Sequence, residues 1–73
     1  MYKTKSLNIA TVLMTMGIRL KSVEGGIEKT FIFEEDDRID EILKSFVNGD
    51  LRVNIKEFLN NNRILKTLIH ERQ

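Results

Sequence analysis

A chain of 73 residues is one domain at most, and its core must be thin, because a protein of this length hides only about 60% of its extended surface on folding. Hydrophobic residues at 41% and charged residues at 32% are globular rather than disordered proportions, and the lack of cysteine excludes disulfide staples, thiolate metal sites and a cysteine nucleophile. The formal charge of +1 hides a segregated pattern: residues 1–23 carry four bases and no acid, residues 24–50 nine acids against three bases, and residues 51–73 five bases against two acids.

In chain order, the basic start with Lys3 and Lys5 reads as a tail ahead of the first element. Ser6 has the side chain of a helix N-cap, Leu7 to Met16 form the helix, and Gly17 is its stop. Asn8, Thr11 and Thr15 make one narrow uncharged stripe on it, and apolar side chains occupy the rest of the circumference. Such a helix is either the central helix of the fold or has one face covered by a second chain. Ile18 to Val23 alternates apolar with mostly basic positions, the pattern of a half-buried strand. Gly25-Gly26 fits a tight hairpin turn, and Lys29 to Glu34 is the returning strand, with Phe31 and Phe33 on one face.

The acidic run Glu34 to Asp37 stands where a second helix begins, with Asp36 or Asp37 able to cap it. Ile39, Ile42, Leu43, Phe46 and Val47 supply its core stripe, and Asn48-Gly49 ends it. Leu51, Arg52 and Val53 form a short edge strand or an extended link. Asn54 and Glu57 have capping-box spacing for a last helix from Ile55 to about His70, with Ile55, Phe58, Leu59, Leu65, Leu68 and Ile69 as its core side and a weak point at Asn60 to Asn62. The expectation is a single α+β domain over residues 1–73 in the order α-β-β-α-α, a two-stranded antiparallel hairpin packed on helices, with a third strand if residues 51–53 pair.

Few residues suggest chemistry. His70 is the sole histidine, which speaks against a multi-histidine metal site or a Ser–His–Asp triad. The acids from Glu34 to Glu41 lack the mid-loop glycine and closing glutamate of a calcium loop, and as a catalytic pair they lack a cleft. Capping and a solvated acidic face explain them. Gly25-Gly26 is followed by a strand rather than by a lysine and hydroxyl opening a helix, so it is no phosphate loop. Lys56, Asn60, Arg63 and Thr67 share one stripe of the last helix near Lys66 and Arg52, a pattern that suits phosphate contact. Near-neutral net charge and a single aromatic outside the expected core, Tyr2, weigh against nucleic acid.

Tyr2 to Ala10, Gly17, the segment Phe31-Ile32-Phe33-Glu34, Ser45 to Gly49 and Asn54 to Phe58 together resemble a domain-of-unknown-function family of short bacterial, phage and mobile-element proteins. The resemblance covers nearly the whole chain, and its motifs are structural: a cap, a turn and core aromatics. It implies a phage or mobile-element context and carries no catalytic residue with it.

The functional expectation is therefore a non-enzymatic protein-binding module that associates with itself or with a host protein. Its surface would be the spare face of the first helix (Asn8, Thr11, Thr15) or the acidic cluster (Asp36, Asp37, Asp40, Glu41). The alternative is a nucleic-acid-binding accessory protein using Arg52, Lys56, Arg63 and Lys66. An acidic mimic of nucleic acid is a third reading, and an enzyme the least favoured. No metal, cofactor or membrane partner is expected. With no secretion pattern and no apolar run near 20 residues, the expected location is the cytoplasm.

Overall fold

The computed structural model describes residues 1–70. Its elements are β1 (Tyr2–Thr4), α1 (Leu7–Thr15), β2 (Leu20–Glu24), β3 (Thr30–Phe33), α2 (Ile39–Asn48) and α3 (Ile55–His70). The three strands form one antiparallel sheet in the order β1-β3-β2. This is the α+β class expected, with the third strand in a different place. The segment expected to be a tail is an edge strand, Tyr2 opposite Phe33 and Thr4 opposite Phe31, whereas residues 51–53 are an extended link. Tyr2-Lys3-Thr4-Lys5 already has the two-residue alternation of a half-buried strand.

Strand β2 departs from simple alternation. Leu20 lies opposite Phe33 and Ser22 opposite Ile32, so Lys21 is an extra residue, a bulge. Without it Leu20 and Val23 would point to opposite faces. With it both flank the buried aromatics of β3. The bulge also disrupts the outer edge of the sheet, which discourages strand addition there. The hairpin is wider than a two-residue turn, because pairing stops at Glu24 and Thr30. Only the first of its glycines, Gly25, has positive φ (106°), and a side chain there would run into the Glu28 backbone.

Helix α1 is the shared wall of the core. Ala10, Val12 and Leu13 meet Phe31 and Phe33 of the sheet, Ile39 and Ile42 of α2 and Leu65 of α3, with Ile18 beneath. The apolar circumference of α1 is thus covered from within the chain, which makes it the central helix. Each fully buried Phe or Leu contributes about 1.5–3 kcal/mol. Ser6 Oγ accepts from the Ile9 amide (3.1 Å) at one end. At the other end Gly17 (φ 87°) donates to Met14 O (3.1 Å) and Ile18 to Leu13 O (2.9 Å), a Schellman closure. Helix α2 closes in the same way: Gly49 donates to Phe46 O and Asp50 to Ser45 O.

Helix α3 is continuous through Asn60 to Asn62, with its cap as expected: the Glu57 amide donates to Asn54 Oδ1 (3.0 Å). Its inward stripe is Phe58, Asn61, Asn62, Leu65, Leu68 and Ile69. Ile55 and Leu59, expected on that side, are 66% and 57% exposed.

Because Gly17 sits in the left-handed region, Gly17→Ala is expected to lower stability by about 1–2 kcal/mol. Gly26 has open space around it and no positive φ, so Gly26→Ala should stay within about 0.5 kcal/mol of wild type. Urea unfolding of the two variants checks this, and equal losses would contradict the Schellman account of α1.

Candidate protein-interaction surface

The polar stripe of α1 is not a free face. Thr11 is fully buried; its Oγ1 donates to Leu7 O (2.7 Å) and accepts from Asn62 Nδ2 (3.1 Å). One turn on, Thr15 Oγ1 donates to Thr11 O (2.7 Å) and accepts from Asn61 Nδ2 (3.0 Å). These two threonines form a seam with α3, and only Asn8, beyond its end, is exposed. Asparagine amides bonded across the seam do not compete with their own backbone, which is why α3 runs through them unbroken. The signal was present in the sequence: Asn61 and Asn62 fall on the three- and four-residue spacing that joins Phe58 to Leu65.

The acidic cluster divides in two. Asp36 is structural. Its Oδ1 accepts from the Arg38 backbone amide (2.9 Å) and from Arg38 Nε (3.0 Å), and Oδ2 accepts from Nη2 (2.9 Å). The same guanidinium donates to Met16 O (3.3 Å) and Gly17 O (3.4 Å), placing a cation at the C-terminal end of α1. Arg38 thereby clips the start of α2 to the end of α1, a role the sequence reading missed. The side-chain hydrogen bonds from Arg38, reinforced by its backbone amide, hold the Asp36 carboxyl down at about 2. Asp37, Asp40 and Glu41 are exposed.

Several of the other acids meet the basic N-terminal third. Lys5 pairs with Glu28 (3.2 Å), Arg19 with Glu34 (4.0 Å) and the N-terminal ammonium with Glu35 (3.3 Å). These exposed pairs contribute little stability, but they decide which charges remain. Among the described residues, Asp37, Asp40 and Glu41 at the start of α2 take part in no ion pair. Neither do Arg52 in the link or Lys56, Arg63 and Lys66 on α3, all of them exposed. No group of three acids or histidines could hold a metal ion, and no helix is long and apolar enough to cross a membrane, among the described residues.

Large apolar side chains are exposed at the corner where α2 passes into α3: Phe46 (38%), Val47 (81%), Ile55 and Leu59. All four were expected in the core. Their periodicity identifies one stripe on each helix, but the small interior is filled by Ile39 and Ile42 from α2 and by the Phe58–Leu65 stripe from α3. An open groove of about 400 Å³ runs along α2, lined by Asp40, Leu43, Lys44, Val47 and Asn48. Another, of about 490 Å³, runs along α3 beside Asn54, Lys56, Leu59, Asn60 and Arg63.

Thr11→Val leaves the Asn62 amide without its partner in a buried place and is expected to destabilise by about 1–3 kcal/mol. Adding Asn62→Leu should recover part of that, with a coupling of at least about 0.5 kcal/mol in a double-mutant cycle. Additive losses would show that the seam carries no energy. The Asp36 carboxyl titrates lower folded than unfolded, so its contribution is fully present above about pH 4 and is lost as pH falls through about 2. Asp36→Asn should therefore melt below wild type at pH 7, with the gap narrowing below about pH 4 and closing as pH falls through about 2. A gap that is constant with pH would contradict the ion-pair account.

No curated protein and no solved structure matches the chain. A family of sequences does match, over residues 1–71, nearly the whole length of the fold just described. It agrees with the resemblance read from the caps, turn and aromatics of the sequence. The chain belongs to the family described as a domain of unknown function, DUF5659.

Proposed function

We propose that this protein is a non-enzymatic protein-binding module whose contact surface is the α2–α3 corner. The observation that carries this reading is the exposure of Phe46, Val47, Ile55 and Leu59 on two neighbouring helices in a chain with so little apolar material to spare. Single exposed apolar residues are ordinary, but four within fourteen positions of sequence are the composition of an interface. The unpaired charges around them, acidic on α2 and basic on α3, would form the polar rim and set the orientation of the partner. This replaces the α1 stripe as the binding face and keeps Asp37, Asp40 and Glu41 as rim residues. A cytoplasmic accessory role in a phage or mobile element agrees with the resemblance of the sequence.

The second reading, nucleic-acid binding through Arg52, Lys56, Arg63 and Lys66, rests on those cations being exposed and unpaired. Leu59 beside them is an aliphatic side chain where phosphate contacts would want a donor.

A tagged protein used to capture partners from a bacterial lysate that also contains an untagged copy separates the two. The expected outcome is a stoichiometric protein retained after nuclease and high salt, and lost from the Val47→Asp/Leu59→Asp variant. Capture that disappears with nuclease, weakens steeply with salt and fails in Arg63→Glu would establish the nucleic-acid reading instead.

A further inference from the structure

Of the asparagines in the chain, Asn48 alone is followed by glycine; the others precede isoleucine, asparagine or arginine. That pairing permits an intramolecular reaction, because the Gly49 nitrogen can attack the side-chain carbonyl of Asn48 with no side chain of its own in the way. Three of the other asparagines are also engaged: Asn54 caps α3, and Asn61 and Asn62 bond Thr15 and Thr11. The Asn48 side chain takes part in no hydrogen bond among the described residues. Asn48, Gly49 and Asp50 are all exposed, and nothing lies within 4 Å of where a Gly49 side chain would stand.

The closure of α2 restrains this reaction. Side chains of a helix lean towards its N-terminus, which carries the Asn48 amide back over the preceding turn and away from the Gly49 nitrogen. That nitrogen is itself engaged, donating to Phe46 O (3.2 Å), while the Asp50 and Leu51 amides donate to Ser45 O (2.9 and 3.2 Å). The turn they close carries Phe46, Val47 and Asn48, all exposed, so hydrogen bonds rather than buried contacts hold it, and a turn of that kind opens readily.

We infer that Asn48-Gly49 is a site of spontaneous covalent modification, by deamidation, gated by the opening of the last turn of α2. When the turn opens, the Gly49 nitrogen bonds to Asn48 Cγ, and the side-chain nitrogen leaves as ammonia, taking the Gly49 proton. Water then opens the cyclic imide. Breaking its bond to Cγ gives aspartate, and breaking its bond to the Asn48 main-chain carbonyl carbon gives isoaspartate. Either product sets a carboxylate at the C-terminal end of α2, where the helix dipole opposes it. Isoaspartate also lengthens the main chain by a methylene, which takes the Gly49, Asp50 and Leu51 amides out of register with their acceptors. The same turn carries Phe46 and Val47, so the product alters the α2–α3 corner whatever that corner binds.

Prolonged incubation of the full chain in mildly alkaline buffer, native and in urea, tests the inference. Brief trypsin digestion after Lys44 and Arg52 releases residues 45–52, in which Asn48 is the sole asparagine. In the native sample this peptide is expected to gain one dalton, in two chromatographic forms, ahead of every peptide holding another asparagine. The gain should be about tenfold or more faster in urea, the factor being set by how seldom the folded turn opens. Asn48→Gln should abolish it. The isoaspartate form, separated by anion exchange, should lose hydrogen-exchange protection at Gly49, Asp50 and Leu51 while Ile42 keeps its own. A native peptide unchanged when the urea sample is fully converted, or conversion led by another asparagine, overturns the site. Equal rates in the two conditions, or unchanged protection in the product, overturn the gate.

Discussion

The fold depends on one constraint: a helix apolar around most of its circumference has to be wrapped on every side by a chain of 73 residues. The sheet takes one side of α1 through Phe31 and Phe33, and α2 takes another through Ile39 and Ile42. The remaining side carries Thr11 and Thr15, and it is closed by α3 with two asparagines rather than with aliphatic residues. Each threonine oxygen donates to its own helix and accepts from the other, so no buried side-chain polar atom among the described residues lacks a partner. Threonines one turn apart on α1 are met by adjacent residues on α3, in reversed order. That arrangement makes the helices cross rather than lie side by side, and it admits a single register.

The exposed corner follows from this crossing. Helix α3 is held with Phe58, Asn61, Asn62 and Leu65 facing inward, so Ile55 and Leu59, off that stripe, are left exposed. Helix α2 is held at its beginning, by the Arg38 clip and by Ile39 and Ile42, so its last turn, with Phe46 and Val47, projects as well. Neither helix could turn these side chains inward without giving up its anchor. The apolar surface is what remains once the more specific contacts have been made.

What the sequence disclosed is what local chemistry decides. Ser6, Gly17, Asn54 and Gly49 mark helix ends because caps involve only neighbouring residues, and those boundaries are where the structure has them. The fold class and the hairpin pairing around Phe31 and Phe33 were legible for a similar reason. What stayed hidden depends on distant partners. Tyr2–Thr4 is too short to announce itself as a strand without β3 beside it. The bulge at Lys21 is visible only once Leu20 and Val23 are required on one face. Thr11 and Asn62 each look like an ordinary surface residue until they are seen 3.1 Å apart across 51 residues of sequence. Arg38 stands in an acidic run and reads as solvated, although its guanidinium reaches the Met16 and Gly17 carbonyls just past α1. Periodicity located the right stripes on α2 and α3, but it could not say that only part of each would be covered.

Charge behaves in the same way. The sequence is basic, then acidic, then basic, which invites the idea of a cationic surface assembled from both ends. Folding instead sets Lys5, Arg19 and the N-terminal ammonium of the first third against Glu28, Glu34 and Glu35, and leaves Lys3 and Lys21 without an ion pair. Among the charges outside ion pairs, Asp37, Asp40 and Glu41 gather at the start of α2 and Lys56, Arg63 and Lys66 along α3, two local fields of opposite sign on one small domain. Such a distribution has little reach, because opposed fields cancel beyond about one Debye length, roughly 8–10 Å at ordinary ionic strength. It gives scant long-range attraction for a polyanion, whose binding depends on an extended field and on many released counterions. At contact distance, with aliphatic side chains between the two patches to exclude water, the same charges can fix how a partner sits. The charge pattern thus points the same way as the exposed aliphatic residues, towards a short-range, shape-matched protein contact.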